Sequence, residues 1–237
     1  METRVTLQPA YVLHSRPFQN TSLLVDFFTY DYGRVKAIAK GARREKSRYR
    51  SLLQLFQPLL ASFSGRGEIK TLTSLESQHS AIQLVGDRLF SGMYVNELLV
   101  RLLLNQEEHA AIYSSYQETL AGLQNQSNFE PVLRRFELNL LADLGYAINL
   151  SEDFHDHKPI VAEAFYRFTP DIGFESSAHI DSDSDNPRHY SGAHLIALRE
   201  MKLDDPAAAK SAKRLLRQAL AAHLGEKPLN SRNLFVR

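Results

Sequence analysis

Five residues crowded between Asp153 and Glu163 have the types that hold a metal or move a proton: Asp153, His155, Asp156, His157 and Glu163. On an extended strand His155 and His157 would point to one side, with carboxylates around them. A catalytic metal centre needs three convergent ligands, and the spacing supplies no third one. A surface loop with ordinary histidines is the simpler reading. No phosphate-cradling GxxxxGK, no GxGxxG, no HExxH and no GxSxG occurs, so nucleotide, zinc-peptidase and serine-hydrolase chemistry lack their usual signatures. The chain has no cysteine, which excludes disulfides, thiolate-zinc sites and a cysteine nucleophile.

The remaining chemistry is ionic. From Gly33 to Arg50 the chain reads GRVKAIAKGARREKSRYR, with eight basic residues (Arg34, Lys36, Lys40, Arg43, Arg44, Lys46, Arg48, Arg50) opposed only by Glu45. That stretch carries +7 in a protein whose net charge is +1. A second island, residues 206–237, carries +6 through Lys210, Lys213, Arg214, Arg217, Lys227, Arg232 and Arg237 against Glu226. Everything else sums to −12, and nine acids face two bases between Ser151 and Pro187. So polarised a chain favours oriented docking on a polyanion, most commonly a phosphate backbone. The aromatic residues Tyr11, Phe18, Phe27, Phe28, Tyr30, Tyr32 and Tyr49 around the first island could stack bases, or could be core. On the second island, a solvated helix face near the dipole's negative end is the competing account.

A third feature is subtler. Arg134 and Arg135 precede Leu138 and Leu141, and an arginine beside such apolar residues suits an acidic peptide with an apolar end and a terminal carboxylate. The ordinary alternative is an intrahelical pair, because Glu130 lies four residues before Arg134.

The elements that must position these groups follow from hydrophobic period. Ala10–Ser15, Leu23–Thr29, Arg34–Ala39, Leu59–Phe63 and Glu68–Leu75 read as short strands separated by turn residues, with Gly33 at positive φ ending a hairpin loop. Five strands without an intervening long helix predict a small barrel, with the basic run on the loop between its third and fourth strands. After Gly86 the period becomes helical. Helices are expected over Leu89–Leu103, His109–Leu123 and Glu130–Leu144, packed as a bundle, and again over Gly192–Met201 and from Pro206 to Gly225. Residues 146–190 read as an irregular or short-hairpin insertion. The expected organisation is therefore α+β: a barrel over 1–80, a helical domain over 81–145 and 191–237, and an inserted module over 146–190. At 237 residues, with 43% hydrophobic and 23% charged content, a soluble protein with a real core is expected. With no signal-peptide pattern or membrane-length apolar run, a cytoplasmic location is expected.

Several segments in order resemble the RecO family of bacterial recombination mediators. They are AYVLHSRPFQNTSLLVDFFT, GRVKAIAKGAR, Leu53–Leu59, GRGEIKTL at Gly65–Leu72, GMYVNELLVRLL from Gly92, LRRFELNLLADLGY from Leu133 and LGEKPLNSR from Leu224. The resemblance spans nearly the whole chain. It implies an N-terminal OB-fold, a helical domain with an inserted zinc-finger-like module, and no catalytic activity. It implies binding and annealing of single- and double-stranded DNA, for which the first island together with Lys210, Lys213, Arg214 and Arg217 are the expected DNA contacts. It further implies action with RecR to load RecA onto DNA coated by single-stranded-DNA-binding protein (SSB), whose acidic tail would dock at Arg134, Arg135, Leu138 and Leu141. Many members hold zinc through four cysteines in the inserted module. This chain has none, so no zinc and no cofactor is expected. Two other classes remain as rivals: a protein-interaction scaffold, and a metal-dependent nuclease built on Asp153–His157.

Overall fold

Short runs rich in valine, leucine, isoleucine and phenylalanine form strands within the first eighty residues, and five of them close on themselves. The computed structural model describes residues 3–176 and 188–235. β1 (Arg4–Phe18), β2 (Ser22–Thr29), β3 (Gly33–Ala39), β4 (Leu59–Ser64) and β5 (Ile69–Ser77) form a closed barrel in the order β1-β2-β3-β5-β4. All pairings are antiparallel except β3 with β5, where Lys36 lies opposite Ile69. This is the Greek-key closure of an OB-type barrel. Its interior is filled by Val12, Val25, Phe27, Val35, Ala37, Leu59 and Phe63, each inaccessible to solvent, and Phe27 meets Phe63 edge to face at 5.3 Å.

β1 extends well beyond the expected Ala10–Ser15 because it serves two partners. Register shifts between Val5 and Gln8 and between Val12 and His14 bend it from β4 onto β2, as bulges do in small barrels. Bulging frees carbonyls, and α1 (Asp87–Leu102) uses them: Asn96 Nδ2 donates to Leu13 O at 3.1 Å. Asn96 Oδ1 in turn accepts from the buried Tyr116 hydroxyl of α2 (Ala110–Asn125) at 2.8 Å. Burial pushes the Tyr116 phenol well above its ordinary range, with smaller contributions from neighbouring tyrosines, so this hydroxyl stays a proton donor. Tyr11 and Phe28 face Tyr113 and Tyr116 across the same junction, with ring centroids 5.1–5.9 Å apart. A final 3-10 helix, Asn230–Phe235, returns to α1.

Chain contacts divide the protein into two compact units, residues 1–126 with 228–237, and residues 127–227. The three helices expected as one bundle are divided between these units. α1 and α2 pack within the barrel's unit, and α3 (Glu130–Asp143) packs against α5 (Pro206–His223) in the other. The second unit also holds a three-stranded antiparallel sheet in the order β7-β6-β8, from β6 (Phe165–Thr169), β7 (Gly173–Ser176) and β8 (His189–Ser191), followed by α4 (Gly192–Arg199). Phe168, Phe174 and Tyr190 form the buried aromatic seam of that sheet. α5 starts as its sequence indicates: Asp205 accepts from the Ala207 and Ala208 N–H groups and Pro206 takes the first turn. Among the described residues, no helix is long and apolar enough to cross a membrane.

Candidate nucleic-acid interface

The segment joining β3 to β4 decides whether the +7 island is a surface. It winds through successive turns: the Arg44, Ser47 and Arg50 N–H groups each bond the carbonyl three residues earlier, and Arg43 N donates to Thr21 O at 2.8 Å. Ala42, Tyr49, Leu53 and Phe56 turn inward and are buried. Lys40, Arg43, Arg44, Lys46, Arg48 and Arg50 are left exposed. The loop is thus pinned by apolar residues at irregular spacing, a pattern without helical or strand period that sequence reasoning passes over as wholly polar. Arg48 lies with its guanidinium carbon 5.1 Å from the Tyr49 ring centroid and donates to the Tyr49 hydroxyl at 3.2 Å. Arg43 reaches the Gln19 and Asn20 carbonyls of the β1–β2 turn at 3.5 Å.

Two members of the island depart from that surface. Lys36, within β3, is half-buried. Arg34 is a correction to the expected DNA contacts, because its side chain points into the molecule. Its Nε lies 3.4 Å from Asp26 Oδ1 and 3.0 Å from Asn105 Oδ1, and Nη1 donates to the carbonyls of Val100 in α1 and of Leu103, at 2.9 Å, just past its end. Burial pulls the guanidinium's pKa down and Asp26 pulls it back up. An arginine at the C-terminal end of a helix satisfies carbonyls that the helix cannot. Arg34 therefore braces the barrel against α1.

Most of the aromatic candidates for stacking are core. Tyr11, Phe27, Phe28 and Tyr49 are buried, while Phe18 and Tyr32 are partly exposed and Tyr30 is exposed. Tyr30 itself leans edge-on against Tyr113 at 5.5 Å.

On α5, Lys210, Arg214 and Arg217 are exposed, and Lys213 is half-buried with its Nζ 3.4 Å from Glu130 Oε1. Arg214 is held in place: Nη2 donates to His189 O at 2.5 Å, and its guanidinium carbon sits 4.5 Å above the Tyr190 ring.

The α3 candidates separate. Arg135 is exposed and Leu138 partly so. Leu141, at 1% exposure, belongs to the core of its unit, as its place on the apolar stripe of α3 requires. Arg134 is also buried, 3.1 Å from Glu137 Oε1 and 3.9 Å from Glu130 Oε2. Its Nε and Nη1 are buried without a hydrogen-bond partner among the described residues.

The Asp153–Glu163 region does not build a metal centre. Residues 154–156 form a turn rather than a strand, so the expected same-side placement of His155 and His157 is not realised. Both histidines are exposed. Asp153 turns inward, where Oδ1 accepts from the His155 N–H at 3.0 Å and the Asp156 N–H at 2.7 Å. Among the described residues, no three histidine or carboxylate side chains are placed to hold a metal ion.

The geometry thus presents a closed barrel carrying one exposed cationic loop, and a second unit carrying a cationic helix face. The family described as Recombination protein O N terminal matches residues 1–81, and Recombination protein O C terminal matches residues 83–233. The chain is 42% identical to the DNA repair protein RecO of Cellvibrio japonicus, covering 98% of each chain. It is 46% identical to that of Pseudomonas putida over 97% of each, and 42% identical to that of Coxiella burnetii over 99% of each. With both halves matched and relatives aligned from end to end, the chain belongs to the RecO family of DNA repair proteins.

Proposed function

We propose that this chain is a non-catalytic recombination mediator that grips single- and double-stranded DNA and anneals complementary strands. It acts with RecR to load RecA onto SSB-coated single strands in the cytoplasm. The observation carrying this reading is the outward display of Lys40, Arg43, Arg44, Lys46, Arg48 and Arg50 on a loop whose apolar residues are locked to the barrel. Cations held on a rigid support neutralise phosphates without a large ordering cost, and each neutralised phosphate releases counterions. Lys36 adds charge beside the loop. Lys210, Lys213, Arg214 and Arg217 of α5 supply further phosphate contacts. Binding two strands through phosphates lowers their mutual repulsion, which is the barrier to annealing.

Phosphate contacts do not distinguish a repair intermediate from bulk DNA. We assign that choice to the acidic tail of SSB, recognised on α3. Arg135 and Leu138 are the accessible members of the expected set. Arg134 contributes through Nη2, which a tail carboxylate would meet by displacing Glu130, whose side chain is one-third exposed. Leu141 shapes the helix from beneath.

The test replaces Arg43, Arg44, Arg48 and Arg50 by alanine and measures single-strand affinity against salt. The variant should lose about three units of the log–log slope if each arginine meets one phosphate, at about 0.7 per contact for single strands. Unchanged affinity and slope at low salt would sink the reading. Annealing of SSB-coated strands, repeated with SSB lacking its tail, tests the choice: equal rates would remove the α3 assignment.

A further inference from the structure

The second unit contains a concavity that the family comparison does not assign. It has a volume of about 530 Å³ and lies where α5 faces β6, β8 and the start of α4. α5 lines it with Lys210, Lys213, Arg214 and Arg217, β8 and α4 with His189, Ser191 and His194, and β6 with Phe165. The volume falls in the range of sites for small organic groups, about 300–1,000 Å³. Its chemistry is a row of cations beside an aromatic ring, the combination that holds a phosphate backbone and its base together.

The cations are unequally engaged. Lys213 shares Glu130, and His194 Nε2 lies 4.0 Å from Asp205 at the groove's end. Lys210 and Arg217 have no ion pair or hydrogen bond to any described residue, although a lysine and an arginine seven positions apart sit on one helix face. The span from Lys210 to Arg217 is about 10 Å at 1.5 Å per residue. A stretch of that length can meet successive phosphates of a single strand. Arg214, locked between them by His189 O and the Tyr190 ring, is already in a fixed orientation and loses little freedom on meeting a phosphate.

We propose that this groove is a second single-strand site, separate from the barrel loop. It takes one unstacked base against Phe165 and the adjoining phosphates on Lys210, Arg214 and Arg217. The inference rests on the DNA-binding reading above and adds a particular occupant: a nucleotide unit rather than a stretch of featureless polyanion. An acidic peptide would use the cations but would leave Phe165 without a stacking partner.

The experiment follows binding of a labelled oligothymidylate of about 15 nucleotides, near the upper site size of one such domain, by fluorescence anisotropy over a salt series. The full chain is compared with Lys210→Ala/Arg217→Ala and with Phe165→Leu, each also placed in the variant lacking Arg43, Arg44, Arg48 and Arg50. Lys210 and Arg217 are exposed, so the double variant should melt like the parent. It should bind about tenfold more weakly and lose about 1.4 units of slope, two contacts at about 0.7 each. Phe165→Leu should weaken binding about fivefold or more with the slope unchanged. Affinity and slope identical to the parent in both backgrounds would overturn the groove while leaving DNA binding by the barrel intact. So would an aspartate-rich peptide that is bound and lost with Lys210 and Arg217 while the oligonucleotide is unaffected. If the parent chain fails to bind the oligonucleotide, groove and barrel readings fall together.

Discussion

Arg34 Nε lies 3.4 Å from Asp26 Oδ1, with the same guanidinium closing the C-terminal end of α1 through the Leu103 carbonyl at 2.9 Å. One ion pair thus joins two neighbouring strands to the helix that follows the barrel, and the first arginine of the basic island belongs to the framework. Removing one partner of a buried pair leaves the other charge uncompensated, which costs about 3 kcal/mol. Arg34→Ala should therefore lower the unfolding free energy measured in urea by that amount. Arg43→Ala and Arg44→Ala, on the surface, should stay within about 0.5 kcal/mol. Arg34→Lys should not restore stability, since an ammonium cannot match the guanidinium's fork.

The hairpin that presents Arg34 depends on Gly33, which has φ of 53°. A Cβ there would lie 1.7 Å from Glu107 O, so the position tolerates neither the conformation of an L-residue nor its bulk. Gly33→Ala should destabilise by about 2 kcal/mol or more. Thermal melting checks this, at about 2–4 °C per kcal/mol for a chain of this size.

Glu97 of α1 receives the backbone N–H groups of Asn230 and Ser231, each at 2.8 Å, and lies 3.9 Å from Arg101. Burial raises its pKa, but the Ser231 and Asn230 bonds and Arg101 outweigh that, and the net shift is downward from 4.5. A depressed carboxylate stabilises the folded form above its ordinary range and loses that contribution as pH falls through the folded value. The hydrogen-exchange protection of residues 228–235, taken relative to the intrinsic rate at each pH, should be high at neutral pH and fall selectively as pH drops below 4.5. Glu97→Gln should show the faster exchange already at neutral pH, and equal protection in the two proteins would refute the docking role.

In the module after α3, Asp153 closes its own loop: its N–H donates to Lys158 O at 2.9 Å while its carboxylate accepts two N–H groups. Asp153→Ala leaves those donors without a partner and should cost about 1–3 kcal/mol. Treatment with a chelator should leave the melting temperature unchanged, because hydrogen bonds and packing close this loop. A drop on chelation, reversed by zinc, would contradict that account.

Much of the fold was legible from local pattern. Short apolar runs between turn residues gave the five strands, the 3.6-residue period gave α1, α2, α3 and α5, and Asp205-Pro206 marked where α5 begins. These signals are written in near neighbours, where strand and helix geometry fix which residues share a face. Partnership was not written there. α3 shows the same apolar stripe whether it packs with α1 and α2 or, as it does, with α5. The double duty of β1 was equally hidden, since its bulges become visible only against two partner strands.

The candidate site divides along the same line. Charge concentration between Gly33 and Arg50 is a property of the sequence alone, and it pointed to a polyanion before any fold was known. The roles within the run were decided in three dimensions. Arg34 and Arg43 are the same residue type, yet one faces Asp26 and helix carbonyls while the other faces solvent. Arg134 and Arg135 divide in the same way. Composition determines how much charge must be accommodated. Only tertiary packing determines which charges are desolvated and paired, and which remain free to meet a phosphate, because desolvation depends on neighbours brought from distant parts of the chain.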